Sequence, residues 1–373
     1  MREQLPTLAT PEGTNRYAAR FAGRAAPGHF RGQASTTLRL SSIGLGTYLG
    51  EPDAATDAGY TAAVIAAVEG GINVLDTAIN YRLQRSERSI GAAIRTLAAK
   101  GFARDELILC TKAGFLTPDG EMPADANEYF IREYLKPGIF RPEDIAADCH
   151  CMAPSYLANQ LERSLRNLGV DSIDVFYVHN PETQLGNVSR EEFLRRIRAA
   201  FEFLEGAVGD GKIGAYGLAT WNGFRQERKA RDYLSLEELL GVARTVGGDG
   251  HHFRFVQLPF NLAMSEALTL VNQTMDGRQG STLQAARMLG ITVISSAALL
   301  QGQLISSLPP FVSAALGLKS DLQRALQFAR STPGITTALV GSSRPQHVQQ
   351  NLEIIGVEPA AREQYLKVFE RGA

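Results

Sequence analysis

The chain predicts a closed (β/α)8 barrel of the TIM type, with an N-terminal extension and a long insertion after the third strand. Three observations carry that prediction. A unit of amphipathic helix, glycine and short apolar strand recurs along most of the 373 residues. The apolar runs number eight, the count that closes such a barrel, and each ends at small or polar residues where the loops of the open mouth begin.

Residues 1–35 form the extension, and GHFRGQASTTLRL from Gly28 predicts a hairpin across the barrel floor. The first strand is IGLGT from Ile43, followed by the helical period of AGYTAAVIAAVEG. GGINVLDTA from Gly70 is the second strand, SERSIGAAIRTLAAKG its helix, and LILCTKAG from Leu107 the third strand. Residues 115–152, FLTPDGEMPADANEYFIREYLKPGIFRPEDIAADCHCM, are the Pro-rich, aromatic insertion, read as a substrate lid or wall, or as a plain excursion. APSYLANQLERSLRNLG then leads into LGVDSIDVFYVH from Leu168, the fourth strand, and GKIGAYGLAT from Gly211 is the fifth. FRFVQLPF from Phe253 is the sixth, LGITVISSA from Leu289 the seventh and PGITTALVG from Pro333 the eighth. STLQAARMLG and SDLQRALQFARS precede the last two, and residues 221–234 and 261–280 are smaller excursions at the mouth. Residues 36–373 thus predict one barrel domain. The alternative, an open doubly wound sheet, lacks both G-x-G-x-x-G after its first strand and the acidic residue that follows it.

Hydrophobic residues make up 44% and charged residues 21%, ordinary globular usage that excludes a collagenous, disordered or coiled-coil chain. Lys+Arg 38 against Asp+Glu 39 leaves a net charge of −1, so neither nucleic acid nor an acidic membrane is expected as partner, and small neutral ligands fit better. No apolar run approaches the roughly 20 residues of a membrane span, the first residues have no signal-like apolar core, and Cys110, Cys149 and Cys151 make a poor disulfide framework. A cytoplasmic protein without a structural disulfide is the expectation.

Barrel chemistry belongs at the C-terminal strand ends. Asp76 ends the second strand, Tyr81 follows it by five residues, Lys112 ends the third and His179 the fourth. Alternation puts Ile72, Val74 and Asp76 on one face, as it does Ile108, Cys110 and Lys112, and Ile173, Val175, Tyr177 and His179. A carboxylate, an ammonium, a phenol and an imidazole at one mouth make a device for moving a proton to a carbonyl oxygen. Lys112 is expected to lower the phenol pKa from about 10, Asp76 to keep the lysine charged, and His179 to orient the substrate oxygen or share the proton. Taken singly, each has a bland reading as cap, hydrogen-bond partner or rim charge; the conjunction on neighbouring strands argues otherwise.

Those residues, with GLGTYLG at 44–50, NVLDTAINYRLQRSERSIGAAI at 73–94, LCTKAG at 109–114, VHNPE at 178–182, VQLPFNL at 256–262 and VGSSRPQHVQQNL at 340–352, resemble the aldo-keto reductase superfamily. The resemblance implies an NAD(P)H-dependent oxidoreductase that interconverts aldehyde, ketone or sugar carbonyls and alcohols, with NADPH favoured and NADH the alternative. It implies Asp76, Tyr81, Lys112 and His179 as the catalytic tetrad, with Tyr81 as general acid in reduction. For the cofactor it implies Gly46 and Thr47 at the ribose, Asp76, Thr220 and Gln257 near the nicotinamide, and Ser296 and Leu299 after the seventh strand. Gly341, Ser343, Arg344, Gln350 and Asn351 would grip the adenosine end, where a cation at a helix start suits a phosphate. Arg344 there is either a phosphate ligand or a solvated helix-start charge. Three positions depart from the family pattern: Ala219–Thr220 replaces a Ser-Asn or Ser-Ser pair, Ser296-Ala297-Ala298-Leu299 replaces a run with a stacking aromatic, and His347 stands where Arg or Gln is frequent.

Other readings remain. Cys149-His150-Cys151 hints at a metal but lacks the second half of a zinc site, so no metal is expected. Trp221, Tyr129, Phe130, Tyr134 and Phe140 either line the substrate pocket or pack the insertion onto the rim. A cofactor-binding sensor or regulatory protein with little turnover is the competing function, and a Schiff-base lyase built on Lys112 the third. The substrate, the working direction and the oligomeric state are not written in the sequence.

Overall fold

The computed structural model describes residues 8–33 and 36–370. Eight parallel strands close into a barrel: β1 (Ile43–Gly46), β2 (Val74–Asp76), β3 (Ile108–Ala113), β4 (Ile173–His179), β5 (Ile213–Ala219), β6 (Phe253–Pro259), β7 (Thr292–Ser296) and β8 (Ile335–Gly341). Each pairs with its sequence neighbours, and β8 returns to β1 through the register Gly341↔Gly46. The helices that carry the chain back are α1 (Ala54–Gly70), α2 (Arg85–Ala99), α3 (Pro154–Leu168), α4 (Arg190–Gly209), α5 (Leu236–Gly247), α6 (Thr282–Met288), α7 (Asp321–Ser331) and α8 (Pro345–Leu352). All eight predicted strands are present.

Local chemistry sets the helix ends. Asp53 accepts from the Thr56 amide at the start of α1, and Gly71 leaves that helix with φ 113°, a left-handed geometry suited to glycine. Pro154 opens α3, where the missing N–H costs no intrahelical bond.

Side chains alternate across each strand, and two cores result. Val74, Ile108, Cys110, Val175, Tyr177, Phe255, Ile294 and Leu339 fill the barrel interior, while Leu75, Leu109, Phe176, Val178 and Val256 pack outward against the helices. Each such fully buried large apolar side chain stabilises the fold by roughly 2 kcal/mol relative to exposure. Ile72 and Ile173, expected on the inner face, join the outer core instead. Ile72 precedes the two-residue alternation of β2, and Ile173 lies at the floor, where β4 starts beside β5 at Ile213.

The predicted floor hairpin is there: Phe30–Gln33 pairs antiparallel with Thr36–Ser41, and Leu40 plugs the interior core. Before it, the helix Pro11–Ala19 inserts Tyr17, whose hydroxyl donates to the Val68 carbonyl (2.6 Å), into the outer core.

The 115–152 insertion has its own small core. Tyr134, Phe140 and Cys151 bury against Tyr156 of α3, with Tyr129 and Phe130 half-buried beside them. Its aromatics therefore take the packing role of the two considered. The excursions at 221–234 and 261–280 lock together: the Asn272 side-chain amide donates to the carbonyls of Phe224 (2.9 Å) and Gln226 (2.8 Å). No helix among the described residues is long and apolar enough to cross a membrane.

Candidate active site

Three strand ends bring the four polar residues to one mouth. Register pairs Asp76 with Gly46 on one side and Cys110 on the other, so Asp76 and Lys112 point into the same barrel end from adjacent strands. Lys112 Nζ donates to Asp76 Oδ1 (2.6 Å) and to the Thr77 carbonyl (2.7 Å), and its side chain is wholly buried. Tyr81 is half-buried, with Lys112 Nζ 5.0 Å from its ring centroid. His179 meets the Tyr81 ring near-perpendicularly, centroids 5.8 Å apart. The four predicted residues thus lie together.

Electrostatics differ from the expectation in one respect. Burial raises the Tyr81 phenol pKa above its usual value, and the lowering by Lys112 only partly offsets this. The predicted net lowering is thus corrected: removing a phenolate from water costs more than one ammonium, already shared with Asp76, returns. Burial opposes the charge on Lys112 too, but the neighbouring Asp76 and Tyr81 outweigh it and hold the ammonium above its ordinary pKa. His179 falls well below the ordinary imidazole value through burial, then Lys112, then His150, so its ring is uncharged. Asn80 Oδ1 lies 3.2 Å from its Nδ1.

The residues assigned to a cofactor lie along the same rim. Thr47 is buried, its hydroxyl donating to the Asp76 carbonyl (3.2 Å), and Ser86 donates back to the Thr47 carbonyl (2.7 Å). Gly46 and Gly341 face each other, and a Cβ built on either would meet nothing closer than 4.0 Å and 3.9 Å respectively, leaving a floor free of side chains. Thr220 is buried, with its amide on the Gln257 carbonyl (2.8 Å). The Gln257 side chain donates to Asp76 Oδ2 (2.7 Å), so it is engaged with the tetrad. Ser296 is half-buried and its carbonyl accepts from the Phe260 amide (3.1 Å), while Leu299 packs on the outer core. Next to Ser296, the buried Ser295 hydroxyl has no partner among the described residues.

Beyond β8, α1 packs so closely on the next loop that a Cβ on Gly59 would come within 2.6 Å of the Ser343 carbonyl. Arg344 caps α8 with its side chain exposed, Gln350 is exposed and Asn351 buried. Among the described residues Arg344 forms no ion pair. An open glycine floor, hydroxyls and a free guanidinium at a helix start suit a phosphate-bearing dinucleotide; the nicotinamide end offers fewer free donors because Gln257 is taken.

Five residues here were not assigned to the site by sequence reasoning. Tyr48, more than half exposed, sets its ring against Tyr81 (5.0 Å), and Phe115 sets its ring against His179 (5.2 Å). Asn80 touches His179. Glu182 Oε1 accepts from the amides of Trp221 (2.7 Å), Asn222 (2.9 Å) and Gly223 (3.3 Å), holding the loop that carries exposed Trp221. His150, noticed only as a metal candidate, has both ring nitrogens engaged within the protein, Nε2 with the His179 carbonyl and Nδ1 with Gln184. Tyr48, Asn80 and Glu182 lie inside the quoted motifs and were findable there; the contacts of Phe115 and His150 join the insertion to the fourth strand.

Comparison with known proteins gives a family model described as the aldo/keto reductase family, matching residues 42–304. Among curated proteins, a D-threo-aldose 1-dehydrogenase of a Pseudomonas species is 25% identical over 304 residues, 79% of this chain and 82% of that protein. A putative voltage-gated potassium channel subunit beta of Schizosaccharomyces pombe is 23% identical over 344 residues, 87% of this chain and 88% of that protein. Among solved structures, a glycerol dehydrogenase of Gluconobacter oxydans superposes with TM-score 0.64 at 19% identity, covering 92% of this chain and 95% of that one. An aldo/keto reductase of Klebsiella pneumoniae in complex with NADP and acetate gives 0.60 at 21% identity, covering 89% and 91%.

Proposed function

This chain belongs to the aldo/keto reductase family and is an NAD(P)-dependent oxidoreductase, and from that premise we propose that it reduces an aldehyde, ketone or sugar carbonyl with Tyr81 as the proton donor. The observation that carries the reading is the buried Lys112–Asp76 ion pair against the ring of Tyr81, with uncharged His179 set nearly perpendicular to the same ring. NADPH is the cofactor of choice: the Klebsiella relative's structure holds NADP, and Arg344 offers an uncommitted cation to a ribose phosphate. Gly46, Thr47 and Gly341 would floor its path, Thr220, Ser296 and Leu299 would lie beside the nicotinamide, and Ser343, Gln350 and Asn351 would take the adenosine end. Bound there, a reduced nicotinamide supplies hydride to the carbonyl carbon.

The chain's own residues do the rest. A raised phenol pKa keeps Tyr81 protonated at neutral pH, so it has a proton to give as negative charge grows on the substrate oxygen. Lys112 stabilises the phenolate left behind, and Gln257 donates to Asp76, fixing the lysine's carboxylate partner. His179 contributes a hydrogen-bonding ring rather than charge. Tyr48, Phe115 and Trp221 offer aromatic walls, and an aldose or polyol class of substrate is favoured because the Pseudomonas and Gluconobacter relatives are named for such compounds.

Loss of reduced-nicotinamide absorbance against a panel of aldehydes and sugars tests this directly. Tyr81→Phe should lower kcat by about a thousandfold while leaving cofactor affinity within about twofold. Undiminished turnover in that variant would falsify the role of the phenol. A second reading, a cofactor-binding regulatory protein, draws on the potassium channel beta-subunit relative and on the engagement of Gln257; tight NADPH binding with no turnover on any panel member would favour it.

A further inference from the structure

The 115–152 insertion reaches under the mouth at His150, and the hydrogen bonds there can be given a direction. Arg196 Nη1 donates to Gln184 Oε1 (2.6 Å), and a guanidinium can only donate. Gln184 therefore turns its Nε2 toward His150 Nδ1 (2.8 Å), which must accept. The imidazole, held neutral by burial with a pKa lowered to about 4, then carries its proton on Nε2 and donates it to the His179 carbonyl (2.6 Å). Arg196 itself is held by Glu192 and by the insertion carbonyls of Glu143 and Asp144.

Two further contacts act on the same strand end. Phe115 sets its ring against both imidazoles, 5.3 Å from His150 and 5.2 Å from His179, nearly perpendicular to each. Gly114 leaves the room for this: a Cβ on it would come within 2.6 Å of the His179 carbonyl oxygen and 2.7 Å of His150 Nε2.

We propose that His150 is a positioning residue for His179, so that the insertion, through one buried imidazole and the Phe115 ring, sets where the catalytic imidazole stands in the mouth. This rests on the oxidoreductase reading of the tetrad. The His179 carbonyl is fixed by the insertion, its ring by Phe115 and Asn80, and an error of an ångström in a catalytic group can cost a hundredfold in rate.

Two amide substitutions separate the two ring nitrogens of His150. His150→Gln carries an amide N–H near the position of Nε2 and keeps a donor for the His179 carbonyl. His150→Asn places its amide near Nδ1, where it serves Gln184 and leaves that carbonyl bare. His150→Gln should keep kcat within about threefold of the parent, and His150→Asn should lose about tenfold or more in kcat at unchanged NADPH affinity. A readout that needs no turnover runs beside it: in nitrogen-15 histidine spectra the His179 ring signals should move in the Asn variant and stay in the Gln variant. Parental kcat in a folded His150→Asn protein, or unmoved His179 signals in it, overturns the proposal, as does equal impairment of both variants. Absence of turnover in the parent enzyme instead overturns the oxidoreductase reading, and the spectra still decide the role of His150.

Discussion

Tyr81 lies beside a buried ammonium and still holds its proton more tightly than a free tyrosine. The reason is the division of the lysine's charge: Asp76 takes one N–H at 2.6 Å, and what reaches the phenol does not match the loss of water around a phenolate. The consequence is directional. With Tyr81 as the proposed proton donor, reduction would use the protonated phenol, the form present throughout the neutral range, so kcat/KM for carbonyl reduction should stay flat from about pH 6 to 9. Alcohol oxidation on the same proposal would use the phenolate and should rise about tenfold per pH unit over the same range. A pH profile of both directions checks this, and an oxidation rate that is flat from pH 7 would mean that another group takes the proton. Legibility at this scale was uneven: residue types and strand ends pointed to four side chains that the fold brings together, whereas the sign of the phenol shift depends on burial around Tyr81, which spacing does not contain. Gln257 is similar, since its bond to Asp76 crosses the barrel between residues 181 positions apart.

Between strands, loops are tied to one another by buried side chains. Glu182, just past the end of β4, gathers three consecutive amides after β5 onto one oxygen, and its Oε2 has no partner among the described residues. Burial raises its pKa although those amides pull the other way. Glu182→Ala leaves the Trp221, Asn222 and Gly223 amides without that acceptor and should cost about 2 kcal/mol in a urea unfolding titration. It should also raise KM more than it lowers kcat, because Trp221 loses its placement and the tetrad does not. Unchanged stability and KM would show that water replaces the carboxylate at no cost. The turn after Tyr81 tells a related story. Arg82, Leu83 and Gln84 all take positive φ (49°, 56° and 71°), costly for residues other than glycine. Arg82 is held by Asp57 Oδ1 (2.5 Å) and by the Glu51 carbonyl (2.9 Å), while the Gly120 amide caps the Leu83 carbonyl (2.8 Å). Nothing in YRLQ announces a left-handed turn, since partners from α1 and the insertion impose it.

Across the molecule, neutral buried histidines give the fold an acid limit. His29, bonded to Ser42 and to the Gly71 carbonyl, and His150 are both lowered from 6.5 to about 4 by burial. Between those values the unfolded chain binds more protons than the folded one, so stability is complete above about pH 6.5 and falls as the pH drops toward 4. Each histidine should forfeit about 2 kcal/mol by pH 5. Urea midpoints at pH 7 and pH 5 test this: the midpoint should fall on acidification, and His29→Gln should shrink the difference. An equal or higher midpoint at pH 5 would contradict the linkage.

The amino-acid order alone specified the repeat of helix, glycine and strand, the eight strands, the floor hairpin and the four chemical groups of the mouth. Those are local matters: period, turn chemistry and the residue at each strand end follow from neighbours in the chain. The direction of the phenol shift, the engagement of Gln257, the grip of Glu182 on the Trp221 loop and the reach of His150 under His179 came from the folded arrangement. Each depends on burial or on contacts between segments far apart in the chain, and a linear pattern carries neither quantity.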